Sequence, residues 1–165
     1  MTRQRRGAVR ATIPAMTAEL TEFQRMLAIE GLHAALRFLN GRTPHRFTGV
    51  YRYDGEMLRN LAMFDKFTPE LLRGDDAPLA QTFCANVQGA GGTLEVLDGS
   101  SDERFPWMAT NPVISYCGVE ISEIDGRPFG TLCHFDTRRC QQRVSDIPLL
   151  TAAAPLIRQA LRQMA

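Results

Sequence analysis

The 165-residue sequence lacks any apolar run near the roughly 18–20 residues that a membrane-spanning helix requires. No apolar segment follows its basic first residues, so a secretory signal is not expected. Because 19 Lys and Arg face 18 Asp and Glu, it also lacks the charge excess that attracts nucleic acid or an anionic membrane. These absences favour a cytoplasmic globular protein with neither a membrane nor nucleic acid among its partners.

Zinc-site and disulfide patterns are also missing. The four cysteines are Cys84, Cys117, Cys133 and Cys140, and none of them forms a C-x-x-C pair. The three histidines, His33, His45 and His134, do not stand at metal-ligand spacing. We therefore expect reduced cysteines, no metal centre, and histidines that lie at the surface or are held by hydrogen bonds.

The basic residues are concentrated near the N-terminus. Residues 1–46 hold eight Arg and three Glu, and residues 1–15 contain little that would build a core. This composition predicts a disordered basic tail over residues 1–15, followed by one domain over residues 16–165. A nucleic-acid-binding arm is the alternative, but the tail lacks the aromatic side chains that would support it.

Helical spacing of apolar residues predicts two terminal helices and one central helix. The first runs from Thr17 to Leu39, although Gly31 makes an unbroken helix doubtful. The last begins at Ser145 or Asp146 and contains Pro155, which can kink it. The central helix is expected between its N-cap, Asp75 or Asp76, and Gly89, and its apolar face comprises Leu79, Phe83 and Val87.

Five strands are predicted between the helices, and two Asp-Gly turns join four of them into hairpins. The strands cover residues 48–53, 56–64, 93–97, 114–121 and 128–135. Sequential hairpins indicate an α+β fold with an antiparallel sheet of five to six strands. We expect the terminal helices on one sheet face and, on the other, a pocket covered by the central helix and the Asp98–Pro112 loop.

Several short motifs occur in a characteristic order. They are Ala80-Gln81-Thr82-Phe83-Cys84, the segment Gly92–Asp98, Asp102-Glu103-Arg104-Phe105, Tyr116-Cys117-Gly118-Val119-Glu120-Ile121, Asp125-Gly126 and Phe129–Asp136. In order and spacing they resemble the GAF domain family, and the resemblance spans residues 30–165.

The resemblance implies an antiparallel sheet flanked by helices, with a small-molecule pocket on one face. It also implies a bacterial sensory or regulatory module that forms homodimers through its terminal helices and passes its signal to a signalling partner. Fold alone names neither the ligand nor a cofactor. Because this unit would occupy most of the chain, we expect the protein to signal in trans, to act on its ligand directly, or to be a piece of a longer chain.

An aromatic and apolar group is the candidate ligand site. It comprises Phe105, Trp107, Met108 and Tyr116, and the polar contacts are expected from Ser115, Glu120 and Thr131. Trp107 on a loop needs an apolar partner, which is either a ligand or the core of the domain itself. If these side chains fill the pocket, the protein would instead be a ligand-free dimerisation module.

Cysteine chemistry supplies two further hypotheses. Free methionine sulfoxide reductases are GAF proteins that use thiols, so Cys84, Cys117 and Cys133 are alternative catalytic residues. The pair Cys133-His134 invites comparison with GAF domains that hold a bilin covalently. We do not expect that cofactor here, because successive residues of a strand face opposite ways and cannot both line one pocket.

Overall fold

A computed structural model describes residues 3–141, 143 and 146–164. Its helices and strands, in chain order, are α1 Arg3–Ile29, α2 Leu32–Asn40, β1 Phe47–Asp54, β2 Met57–Asp65, β3 Ala77–Pro78, β4 Thr93–Val96, β5 Ser115–Ser122, β6 Pro128–Asp136 and α3 Ile147–Met164. The six strands form one antiparallel sheet in the order β3-β2-β1-β6-β5-β4. The predicted α+β class is confirmed.

The first predicted helix is divided at Gly31. This residue adopts a φ of 96°, a conformation that side-chain-bearing residues rarely take, and α1 therefore ends before it. α3 begins directly after Asp146, whose carbonyl accepts the Leu150 amide, whereas Ser145 lies outside the described residues. The disordered tail over residues 1–15 stays a prediction. Within the described part of the chain, no helix combines the length and apolarity needed to cross a membrane.

The predicted central helix is wrong. In its place the chain forms β3 and two 3-10 turns, Leu79–Gln81 and Phe83–Asn86. The predicted cap has another role, because the Asp76 carboxylate accepts the Asn60 amide at 2.8 Å and pairs with Arg59 at 3.2 Å. These contacts hold Asp76 to β2, so the segment continues along the sheet edge instead of starting a helix.

The sheet has a distinct apolar cluster on each face. On one face Val50, Cys117 and Leu132 pack with helix residues such as Leu36 and Leu150. The opposite face presents an aromatic and thiol-bearing set, which includes Tyr51, Phe83, Tyr116 and Cys133. Alternation along each strand divides the residues between these two layers. The helices therefore cover one face, as predicted, and leave the other to loops and turns.

A buried polar network joins the helical layer to the sheet. His134 on β6 contacts the Asp146 carboxylate through Nε2 at 2.8 Å and the Thr48 hydroxyl through Nδ1 at 2.7 Å. Asn40 donates to the same hydroxyl at 2.9 Å, and Arg42 donates to Asp146 at 3.1 Å. The network thus links α2, β1, β6 and the start of α3.

His45 lies beside this network and is held neutral by its surroundings. Its ring stacks on that of His134 with centroids 6.0 Å apart, and its Nδ1 contacts the Thr43 hydroxyl at 2.5 Å. Its Nε2 is buried and finds no hydrogen-bond partner among the described residues. Burial and the proximity of His134 lower the pKa of His45 to about 4.

This shift predicts that acid destabilises the fold. The ordinary pKa of His45 is 6.5 and its folded pKa is about 4, so the unfolded state binds more protons between these values. Stability is complete above the unfolded pKa and is lost as the pH falls through that window. From pH 7 to pH 5, His45 alone should lower the free energy of unfolding, measured by urea titration, by about 2 kcal/mol.

The variant His45→Gln should show a smaller pH dependence, with the remainder due to buried His134, whose pKa is also lowered by burial. His33→Gln on α2 is the matched control and should keep the wild-type dependence. An unchanged pH dependence in His45→Gln would contradict this assignment.

Candidate functional site

A cavity of about 250 Å³ lies on the sheet face opposite the helices. Its floor is formed by Tyr51 of β1, Tyr116 of β5 and Cys133 of β6, and its roof by Phe83 and Cys84. The floor residues reach the same space because their strands are adjacent and place them on one face. The roof comes from the Phe83–Asn86 turn, the segment that replaced the predicted central helix.

The mouth of the cavity is polar. Asp75, Gln81 and Asn111 line it, and the Asn111 amide donates to the Gln81 carbonyl at 2.7 Å, which ties the loop to the roof. The described residues that line the cavity include one carboxylate, that of Asp75, and no Lys, Arg or His. A cavity with apolar walls and no fixed charge deep inside it favours a neutral occupant.

Cys84 is the most densely hydrogen-bonded side chain of the cavity. Thr131 donates to its sulfur at 3.1 Å, and the Tyr116 hydroxyl lies 3.2 Å from the same atom. Cys133 lines the same cavity. Burial raises the pKa of Cys84, but the hydrogen bonds to its sulfur outweigh burial and the net shift of the pKa is downward.

The pKa values of Cys133 and Tyr116 shift in the opposite direction. Burial raises the pKa of the Cys133 thiol, and the neighbouring Cys84 raises it further. Burial and the two neighbouring cysteines raise the pKa of Tyr116 in the same way. Cys84 is therefore the most acidic member of this cluster.

The structure brings only part of the predicted ligand site to this cavity. Tyr116 lines it, and Thr131 lies on the same face against Cys84. Phe105 and Met108 belong to the surrounding apolar cluster without lining the cavity. Glu120 shares the strand face of Tyr116 but stands four residues further along β5. Ligand binding by these residues stays a prediction.

The other two predicted residues lie away from the cavity. Ser115 and Cys117 are two positions apart on β5, so both face the helical side of the sheet. The Ser115 hydroxyl donates to the Arg138 carbonyl at 2.7 Å. Trp107 is 63% exposed and stands edge-on against Phe105, with ring centroids 5.9 Å apart. Trp107 is thus neither buried in the core nor a wall of the cavity.

Tyr51 and Phe83 line the cavity but were not among the predicted site residues. Strand alternation could have indicated Tyr51, because it follows Val50 in β1 and therefore faces away from the helices. The sequence predicts Phe83 on the apolar face of the central helix, and this prediction does not place it in the roof of the cavity. Phe83 belongs to the motif Ala80–Cys84, which gave no sign of its place in a cavity, and no motif contains Tyr51.

The cysteines separate into two groups. Cys84 and Cys133 meet in the cavity, whereas Cys117 is buried on the helical face of the sheet, so the three do not form one site. Cys133 and His134 face opposite sides of β6, as expected from strand alternation. Among the described residues, no cluster of His, Cys, Asp and Glu has the arrangement of a metal site.

The fold is that of GAF domains in known structures. The GAF domain of an Acinetobacter phosphoenolpyruvate-protein phosphotransferase has a TM-score of 0.69 at 11% identity, covering 90% of this chain and 94% of that one. A putative GAF sensor protein from Burkholderia vietnamiensis gives 0.65 at 16% identity, with coverages of 89% and 96%.

A free methionine-R-sulfoxide reductase from Neisseria meningitidis gives a TM-score of 0.66 at 18% identity, covering 91% of this chain and 92% of that chain. No protein-family model matches the chain, and no curated protein matches it. The structural similarities therefore establish a GAF-like fold, which bears out the resemblance seen in the sequence motifs.

Gly118 provides the space that Tyr116 needs to reach Cys84. A Cβ atom at Gly118 would lie 2.6 Å from ring carbons of Tyr116, because the ring leans along β5 over that position. We expect Gly118→Ala to displace the Tyr116 hydroxyl from Cys84 and to lower the free energy of unfolding by about 1–3 kcal/mol, the usual cost of overpacking. Urea titration measures this loss.

Gly89→Ala is the matched control, since a Cβ there has a single neighbour at 3.9 Å. It should leave the stability nearly unchanged. Equal stability of Gly118→Ala and wild type would show that Tyr116 does not depend on this gap.

Proposed function

We propose that this protein is a sensory GAF domain that binds a small, uncharged, largely apolar molecule and passes its occupancy to a signalling partner. The observation that carries the proposal is the roofed apolar cavity between Tyr51, Tyr116 and the Phe83–Asn86 turn. Its position supports a binding role, because it lies between the sheet and a connecting segment. The proposal includes a bacterial cytoplasmic setting and a homodimer formed through the terminal helices.

The size and polarity of the cavity limit the ligand. Its volume of about 250 Å³ lies below the ~300–1,000 Å³ that drug-sized ligands occupy. A molecule as large as a cyclic nucleotide or a bilin therefore exceeds it. The hydroxyls of Tyr116 and Tyr51 at the floor and Gln81 at the mouth offer a few hydrogen bonds. A single-ring compound or a short aliphatic one with one polar group fits this description.

The sheet offers a direct route from the cavity to the helices. Tyr116 and Cys133 line the cavity, and the next residues along their strands, Cys117 and His134, lie in the helical layer. α3 is further tied to the end of β5 by Arg158, which donates to Glu123 at 2.6 Å. A ligand that shifts β5 or β6 would thus bias the arrangement of the terminal helices.

A thiol-dependent reductase of free methionine sulfoxide is the second candidate function. The hydrogen-bonded Cys84 in the cavity favours it, together with the similarity to the Neisseria meningitidis reductase. On this hypothesis, incubation with free methionine sulfoxide and a thiol reductant gives turnover that Cys84→Ser abolishes. Turnover that survives Cys84→Ser would exclude it.

Filling the cavity tests the sensory proposal. Ala77 lines the cavity, so Ala77→Phe should occupy part of its volume and prevent binding. We would screen neutral compounds the size of phenol or indole by thermal unfolding and search the purified protein for a carried molecule by native mass spectrometry. A ligand at a hundredfold excess over its Kd should stabilise the wild type by about 2.7 kcal/mol.

Ala80→Phe is the matched control, because Ala80 is exposed and does not line the cavity. It should bind as the wild type does. Binding that survives Ala77→Phe would place the ligand elsewhere. A wild type that neither carries nor binds any compound of the panel would favour a ligand-free dimerisation module.

A further inference from the structure

We propose that Cys84 and Cys133 are a dithiol redox pair: a small hydroperoxide enters the cavity and oxidises Cys84, and Cys133 then closes an intramolecular disulfide. This inference goes beyond the proposed sensory function and does not require it. The pair would report an oxidant directly, through its own covalent state, whether or not another molecule binds in the cavity.

The two cysteines lie on opposite walls of the cavity. Cys133 points from the floor of the cavity on β6, and Cys84 points from the Phe83–Asn86 turn of the roof. Both side chains line the same cavity and belong to the same buried cluster, although 49 positions separate them in the chain. Cys117 is on the other sheet face, where burial raises the pKa of its thiol and keeps it protonated.

Two hydroxyl groups lie beside the Cys84 sulfur. Thr131 and Tyr116 are placed to donate hydrogen bonds to the Cys84 sulfur, at 3.1 Å and 3.2 Å, which stabilises a thiolate. The neighbouring Cys133 remains a thiol. This division of roles supplies one nucleophile and one resolving thiol, the combination that redox-responsive cysteine pairs use.

The chemistry balances with a hydroperoxide as the oxidant. The Cys84 thiolate attacks the terminal peroxide oxygen, the S–O bond forms and the O–O bond breaks, and the departing oxygen takes up a proton to leave as an alcohol or water. The product is a sulfenic acid at Cys84. The sulfur of Cys133 then attacks the Cys84 sulfur, and the hydroxyl group leaves with the Cys133 proton as water. Two thiols are oxidised and one peroxide is reduced.

The cavity itself selects this class of oxidant. Cys84 is 3% exposed, so the oxidant must be small enough to pass the mouth and enter the cavity. A zwitterion would need a fixed cationic partner for its carboxylate, and the described lining residues include no Arg, Lys or His. A neutral hydroperoxide needs no such partner, and the Tyr116 and Thr131 hydroxyls beside the Cys84 sulfur are hydrogen-bonding groups for its oxygens.

Disulfide formation would change the cavity. A covalent bond between floor and roof draws the Phe83–Asn86 turn towards β6 and removes space from the binding volume. Oxidation and occupancy by another molecule therefore compete for the same site. The competition couples an oxidising signal to any ligand response of the domain.

The first experiment treats the reduced protein with hydrogen peroxide or cumene hydroperoxide, in separate arms, and maps disulfides by peptide mass spectrometry. We expect a Cys84–Cys133 bond and the loss of two hydrogen atoms from the intact mass. Cys133→Ser should instead accumulate a sulfenic acid that dimedone traps at Cys84. Cys117→Ala and Cys140→Ala should still form the bond. A disulfide that involves Cys117 or Cys140 would overturn the proposal.

The second experiment tests the hydroxyl groups. Thr131→Val and Tyr116→Phe should each slow the oxidation of Cys84 by roughly tenfold, the effect of about one pKa unit on the thiolate population. Thr93→Val on β4 and Tyr53→Phe are the matched controls, since Tyr53 donates to the Cys84 carbonyl rather than to its sulfur. Equal rates of Cys84 oxidation in these variants and in the controls would refute the role of the Thr131 and Tyr116 hydroxyls.

The third arm separates this proposal from both candidate functions. Free methionine sulfoxide replaces the hydroperoxide under the same conditions, and oxidation by the sulfoxide but not by either peroxide would overturn the proposal in favour of the reductase. The double variant Cys84→Ser with Cys133→Ser cannot form the bond but keeps the cavity. Ligand binding by this variant tests the sensory function independently of the redox pair.

Discussion

The alternation of side chains along β6 is the constraint on which both faces of the sheet depend. Thr131 and Cys133 face the cavity, whereas Leu132 and His134 face the helices. A shift of one residue in the register would exchange these environments and place the His134 ring in the cavity. The hydrogen bonds of His134 to Thr48 and Asp146 oppose such a shift, because both partners belong to the helical side.

The same alternation joins the thiol pair to the helices through adjacent residues. Cys133 is followed by His134, which contacts Asp146 before α3, and Asp146 pairs with Arg42. Arg42 in turn pairs with Glu19 on α1. These contacts connect His134, the residue after Cys133, to both terminal helices through polar side chains. Hydrogen-bonded networks of this kind tolerate few partial arrangements, so the displacement of one side chain shifts the other members of the network.

Much of the fold could be predicted because its signals are local. The Asp54-Gly55 and Asp125-Gly126 turns placed two hairpins, where Gly55 and Gly126 adopt φ values of 61° and 87°. The roof could not be predicted, because the role of Asp76 depends on the Asn60 amide, a partner distant in sequence. Tyr116 was recognised as part of the site, but the meeting of Cys84 with Cys133 depends on the same non-local packing.

The roof is connected to the sheet by few hydrogen bonds, and this affects how fast the cavity exchanges its contents. The backbone bonds of the Phe83–Asn86 turn remain within the segment, and its bonds to the sheet come from three side chains. Tyr53 donates to the Cys84 carbonyl, Thr131 donates to the Cys84 sulfur, and the Tyr116 hydroxyl contacts the same sulfur. Such a segment opens at a small fraction of the cost of global unfolding. The residence time of an occupant is therefore set by a local fluctuation of the roof, and it can be tuned without altering the stability of the sheet.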